Sequence, residues 1–209
     1  MSARGVFVTF EGIEGSGKTT QMRRLSAHLS ESGVPHITTR EPGGTPLADQ
    51  VRTLLLSPRD ETVFPETELL LYEAARAQHV RGLLIPALNA GKAVLCDRFF
   101  DATFAYQAYA RGLGAEAVRT FDRFASGDLV PDLTLLFDLP PETGISRATR
   151  RAAADRIEKE SLDFHRAVRN GYLALLEESA GRIVLIDASA TQEIVFARLM
   201  ETVRERFGW

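Results

Sequence analysis

An α/β fold, with a parallel five-stranded sheet covered by helices on both faces, is the architecture this sequence predicts. Two observations carry that expectation. Short apolar runs alternate with longer stretches of helical period, and the first run leads into a glycine-rich turn that opens a helix. Strands separated by helices need right-handed crossovers, which lay the strands parallel and put helices on either face. Val6–Phe10 reads as the first buried strand, and a helix follows from about Lys18 to Ser30, stopped by Gly33-Val34-Pro35. His36–Thr39 is the second strand. The longest helical pattern runs from about Glu66 to Asn89 and is closed by Gly91. Ala93–Cys96, Leu133–Phe137 and Arg182–Ile186 complete the strands, and a last helix, Gln192–Phe207, repeats apolar residues at Ile194, Val195, Leu199 and Val203.

A chain of 209 residues is near the size of one domain with insertions, so residues 1–209 are read as a single unit. Hydrophobic residues at 44% and charged residues at 25% exclude a disordered chain. The lone Cys96 excludes a disulfide framework or a multi-cysteine zinc site, and reads as a small core residue. A net charge of −3 gives no general attraction to nucleic acid or acidic membranes. No apolar stretch approaches about 20 residues, and Met1–Arg4 leads into the first strand without signal-peptide anatomy, so a cytoplasmic setting is expected. The arginine-rich stretch Arg147–Arg156 is the one shift in composition and reads as an insertion.

Gly12-Ile13-Glu14-Gly15-Ser16-Gly17-Lys18-Thr19 fits G-x-x-x-x-G-K-[ST] directly after a strand and directly before a helix. The fold class is therefore of the P-loop NTPase type. Glycines let successive N–H groups curl around phosphate oxygens, and the helix N-terminus adds positive partial charge. Gly12 to Thr20 form the expected ATP cradle. Lys18 reaches the β/γ-phosphates and the Thr19 hydroxyl binds Mg²⁺. The glycine spacing does not match the dinucleotide-binding fingerprint.

The three lysines, Lys18, Lys92 and Lys159, lie in no guanine-reading motif, which argues against a GTPase switch. Arg98 stands where an ATPase motor usually has a glutamate to activate water. Asp97 closes a strand whose carboxyl end lies beside the phosphate loop, so it is a second candidate for Mg²⁺. Arg98 can bridge two phosphates with its planar fork, although a solvated Asp-Arg pair would read the same in isolation.

The loop preceded by Phe10-Glu11, then Arg40-Glu41-Pro42-Gly43-Gly44-Thr45, Asp97-Arg98 with Ala105-Tyr106-Gln107, and Asp155-Arg156-Ile157-Glu158 resemble the bacterial type of the thymidylate kinase family. Pro131-Asp132-Leu133 and Asp138 to Glu142 add to the likeness, which runs along almost the whole chain. The resemblance implies transfer of the ATP γ-phosphoryl group to dTMP, Mg²⁺ as cofactor, a homodimer, and a small lid at about 146–158. It implies that Arg98 grips the monophosphate, Arg76 meets a thymine carbonyl, Tyr72 stacks on the base and Thr103 bonds the thymine edge. It also puts Tyr106 near the sugar C2′, where its bulk disfavours a ribonucleotide, and Glu14 near the 3′-hydroxyl or an associated cation. Gln107 completes the Ala-Tyr-Gln signature. Ala102 stands where the family usually has serine, which removes one hydroxyl.

A nucleotide kinase must hold a dianion beside a triphosphate, and that demands arginines beyond the loop lysine. Arg52, Arg76 and Arg98 are the candidates. Tyr72 and Arg76 lie one helical turn apart and share a face, though Tyr72 read alone is better taken as a core residue. No basic residue occupies the variable loop positions Ile13 to Ser16, so a further cation is expected from Arg147, Arg150 and Arg151. The resemblance makes Arg151 the catalytic lid arginine, lays Arg147 against adenine and lets Arg156 tie the lid down or also meet phosphate. Lys18, Arg98 and Arg151 thus form the expected catalytic set. Another P-loop deoxynucleoside or nucleotide kinase is the alternative. A non-turning P-loop sensor is disfavoured, because it needs no second phosphate site.

Overall fold

The computed structural model describes residues 4–149 and 155–209. Five parallel strands, β1 (Phe7–Glu11), β2 (His36–Arg40), β3 (Ala93–Asp97), β4 (Leu133–Asp138) and β5 (Ile183–Asp187), lie in the order β2-β3-β1-β4-β5. The order reverses around β1: β2 and β3 lie to one side, β4 and β5 to the other. Ligands of open α/β sheets bind in the crevice at the strands' carboxyl ends beside such a reversal.

Burial on both faces explains why the three central strands, β1, β3 and β4, are largely apolar. Val8 and Phe10 pack with Leu95, Leu135 and Phe137 against Leu25 and Leu29 of α1 (Lys18–Glu31). Val168 of α8 (Leu162–Glu178) and Leu199 and Val203 of α9 (Gln192–Phe207) join the same cluster. Phe7, Val94 and Cys96 point the other way, toward Val80, Leu84, Leu88 and Phe99. The period-2 alternation of side chains thus feeds two cores at once. Cys96 is fully buried, as expected.

Two boundaries differ from the sequence reading in ways that matter. Strand β3 continues through Asp97, which pairs with Arg40 and Phe10. Apolar periodicity ends at Cys96, but the backbone ladder carries the carboxylate one position further, to the sheet's edge. The helix expected over Glu66–Asn89 is three segments: α3 (Pro65–His79), a π-helical turn over Val80–Leu84, and α4 (Ile85–Asn89). Pro86 lacks an N–H and its ring crowds the carbonyl four residues back. The wider turn, in which Ile85 N–H donates to Val80 O, accommodates it.

The remaining helices fill the gaps between strands: α2 (Pro46–Leu56), α5 (Phe100–Thr103), α6 (Ala115–Ser126) and α7 (Pro141–Thr149). Thr45 caps α2 and Ser161 caps α8, each accepting from an N–H three residues on. A second π-helical stretch, Phe104–Ala110, follows α5 and packs closely against α8.

Candidate active site

Gly12 has φ 131° and a Cβ there would lie 2.3 Å from Phe137 O; Gly15 has φ 72° and its Cβ would lie 2.0 Å from Gly144 O. Both positions therefore require glycine. The loop wraps the Lys18 ammonium, which donates to Gly12 O and Ile13 O at 2.8 Å each and to Ser16 Oγ at 3.3 Å. Burial, followed by the neighbouring Arg98 charge, lowers the Lys18 ammonium to about 8, against the pull of Asp97, Glu14 and Glu11.

Thr19 Oγ1 donates to Asp97 Oδ2 at 2.6 Å. A hydroxyl and a carboxylate, both hard oxygen donors, thus meet at the mouth of the loop. Mg²⁺ is typically held by one or two such groups together with substrate phosphates and water, so the donor set fits it.

Arg98 follows Asp97 with φ 73°, a left-handed conformation that costs a non-glycine residue of order 1 kcal/mol or more. Its guanidinium donates to Glu14 Oε1 at 2.6 Å and to the Tyr172 hydroxyl at 3.2 Å, and lies over the Tyr106 ring at 5.0 Å. Tyr106 Oη donates to the same carboxylate, at 2.8 and 2.9 Å from its two oxygens. His165 Nδ1 lies 3.6 Å from Glu14 Oε2. Burial by itself would raise the Glu14 carboxyl, but Arg98, then the His165 and Tyr106 contacts and the Lys18 charge, hold it well below the usual range.

Glu11, three residues earlier, is driven in the opposite direction. It accepts from Phe99 N–H and from the Tyr172 hydroxyl, each at 2.7 Å. Burial, reinforced by Asp101, raises it to about 8 despite the opposing Arg98 charge and these hydrogen bonds. Direct contact with a guanidinium separates the fates of the two carboxyls.

Arg76 is almost fully buried. Its Nε meets Glu41 at 2.9 Å, one terminal nitrogen meets Glu73 at 2.9 Å and Asp122 at 3.2 Å, and the other meets Thr103 Oγ1 at 2.8 Å. Burial raises Glu73 to about 7 and Asp122 to about 6, against the pull of Arg76. Glu41, shared with His79 at 2.9 Å, stays below its ordinary value because Arg76 and His79 outweigh its burial. Gln107 donates to Glu68 at 2.9 Å, and Arg52 donates to Pro42 O at 3.0 Å.

Two cavities meet at the phosphate loop. One of about 250 Å³ is lined by Glu14, Lys18, Thr19, Arg52, Tyr72, Arg76, Arg98, Thr103, Tyr106 and Gln107, together with Asp155 and Glu158. The other, of about 420 Å³, is lined by Ser16, Thr20, Gln21, Arg147, Ala190, Thr191 and Gln192. Gly15 and Gly17 line both. Every acceptor-side residue read from the sequence therefore faces one cavity, and Arg147 faces the other, donating to Ala188 O at 3.1 Å. Arg150 and Arg151 lie outside the described residues. Arg156 donates from Nε to Leu55 O at 2.8 Å and pairs with Glu68, so it anchors the segment following them to the end of α2.

A thymidylate kinase family model matches residues 10–199. The chain belongs to the thymidylate kinase family. It is 51% identical over 181 residues to a thymidylate kinase of Carboxydothermus hydrogenoformans, spanning 87% of this chain and 89% of that one. It is also 51% identical to one of Pseudomonas putida over 191 residues, 91% of each chain. The crystal structure of thymidylate kinase from Ehrlichia chaffeensis superposes with a TM-score of 0.77 at 30% identity, covering 96% of this chain and 99% of that one. The parallel sheet and the family expected from the sequence are thus both found.

The residue-by-residue reading missed Glu11, Glu41, His165 and Tyr172. Glu11 and Glu41 lie within the family-like motifs, but neither motif gives a hint of the partner that each carboxylate finds in the fold. His165 and Tyr172 lie seven residues apart on α8, two turns along one face, and only that spacing could have flagged them.

Proposed function

We propose that the chain transfers the γ-phosphoryl group of ATP to dTMP, giving ADP and dTDP. The carrying observation is the pair of cavities on either side of Gly15 and Gly17, one rich in arginine and the other beside the N-terminus of α1. Donor and acceptor phosphates would meet end to end at Lys18.

In this reading Gly12 to Thr20 hold the triphosphate, with Arg147 beside adenine. Thr19 and Asp97 would hold Mg²⁺, which neutralises developing charge on the phosphates. Tyr72 stacks on thymine, Arg76 and Thr103 meet its edge, Gln107 closes the pocket through Glu68, and Tyr106 crowds the sugar C2′. Arg52 and Arg98 hold the monophosphate, and Glu14, kept ionised by Arg98, faces the 3′-hydroxyl. A phosphate oxygen of dTMP attacks Pγ, the Pγ–O bond to ADP breaks, and Lys18, Arg98 and Arg151 stabilise the transferring group. The monoester oxygen is already a nucleophile at neutral pH, so no general base is required.

Residues 146–158 would act as the lid of a single 1–209 domain, and Arg151→Ala is expected to lower kcat at least about tenfold with little change in Tm. We assign the working state to a cytoplasmic homodimer; the dimer is supported by the groove that Leu47 of α2, Ala74 and Ala77 of α3, Gly82 of the π-helical turn and the 85% exposed Phe124 of α6 form. Among the described residues no helix is long and apolar enough to cross a membrane.

ADP release measured with dTMP, dUMP, UMP, dCMP and thymidine tests the assignment. Turnover is expected to be fastest with dTMP. Phosphorylation of thymidine alone would replace this reading with a nucleoside kinase.

A further inference from the structure

Arg98 is asked to hold a charged substrate from a backbone conformation that a non-glycine residue avoids. Something must therefore fix both its main chain and its side chain. Glu11 reaches the backbone directly after Arg98, and Tyr172 reaches the Arg98 side chain. One oxygen of Glu11 accepts from the N–H of Phe99, the residue directly after the left-handed position, at 2.7 Å. The other accepts from the Tyr172 hydroxyl, also at 2.7 Å, and that hydroxyl accepts in turn from Arg98 at 3.2 Å.

The tyrosine oxygen is thus used both as donor and as acceptor, and the chain of contacts closes on itself through the backbone of residues 98 and 99. Tyr172 is 2% exposed, Glu11 is fully buried, and neither lines the acceptor cavity. The close approach that makes this possible comes from the preceding residue. A Cβ at Gly171 would lie 3.0 Å from both Ala105 Cα and Tyr109 Cβ, so glycine lets α8 press against the Phe104–Ala110 turn and deliver the tyrosine beneath Arg98.

We propose that Glu11 and Tyr172 are positioning residues that lock Arg98 in the orientation in which it receives the acceptor phosphate. The inference rests on the assignment of Arg98 to that phosphate. It explains why α8, remote in sequence from the phosphate loop, contributes a buried hydroxyl to this spot.

The test compares wild type, Tyr172→Phe, Arg98→Lys and the double variant, with steady-state kinetics in both substrates and thermal melting of each protein. Tyr172→Phe removes only the hydroxyl. It is expected to lower kcat/KM for dTMP about tenfold, with KM for ATP within about twofold and Tm lower by a few degrees, because a hydrogen bond to a charged group is lost and a buried Glu11 oxygen loses its donor. In the Arg98→Lys background the same substitution should have little further effect. Glu11→Gln, which keeps the shape but puts an amide NH₂ where one carboxyl oxygen stands, should reproduce the dTMP-selective defect more mildly.

Equal losses for ATP and dTMP, or a Tyr172→Phe penalty undiminished in the Arg98→Lys background, would overturn the positioning role while leaving the Arg98 assignment intact. Near-normal dTMP kinetics in Arg98→Lys itself would overturn that assignment and this inference with it.

Discussion

A carboxyl at the carboxyl edge of a buried parallel sheet resists ionisation, and Glu11 sits there among Phe99, Asp101 and Tyr172. Its folded-state value of about 8 lies above the ordinary 4.5, so the folded protein keeps a proton that the unfolded chain releases. The associated stabilisation is fully present below the unfolded value and is lost as pH rises through about 8. Thermal melts across that window should show the wild-type Tm falling with pH, and Glu11→Gln falling less, by at least about 3 °C over the interval. Parallel curves for the two proteins would show that Glu11 ionises normally. Glu14 works with the opposite sign: its depressed value contributes stability above the usual carboxylate range that disappears as pH falls through its folded value.

Among the elements, the turn between β1 and α1 is tightly constrained. Gly15 needs a left-handed backbone and also meets α7, where the Gly144 carbonyl would lie 2.0 Å from any Cβ. That atom is backbone and cannot swing away. Gly15→Ala should therefore displace the loop from α7, lower Tm by several degrees and weaken ATP binding more than about tenfold. Calorimetric titration with ATP checks this; unchanged affinity would mean that the loop and α7 separate freely. Helix α8 shows the complementary case, in which Gly171 is needed for close packing while its neighbour Tyr172 supplies the buried hydroxyl that meets Glu11 and Arg98.

Across the whole molecule, exposed apolar surface gathers where α2, α3 and α6 meet, around Leu47 and Phe124. Large exposed apolar side chains gathered around a groove are a common mark of an interface. Phe124→Glu is expected to convert the proposed dimer to a monomer in light scattering coupled to size-exclusion chromatography. The change should also lower activity, because Glu73, Arg76 and Asp122 are anchored on two of the same helices. A wild-type protein that runs as a monomer would remove the groove as an interface. The two cavities depend on the same global arrangement: α1 starts between them, and the strand reversal around β1 keeps them apart.

Much of this was legible in the linear chain because it depends on local periodicity and on fixed spacings. Strand alternation, the glycine pattern of Gly12–Thr19, and the turn-spaced Tyr72 and Arg76 all follow from short-range geometry, and each lies where its pattern placed it. The end of β3 and the break before Pro86 were less visible, since ladder pairing and a widened turn leave little mark on hydropathy. Contacts between distant segments lay beyond the sequence altogether. Glu11 meets Tyr172 across 161 positions, and Arg76 gathers carboxylates from Glu41, Glu73 and Asp122. Which buried charge is matched, and which proton is therefore retained, depends on three-dimensional proximity and desolvation, and those exist only once the sheet and helices have packed.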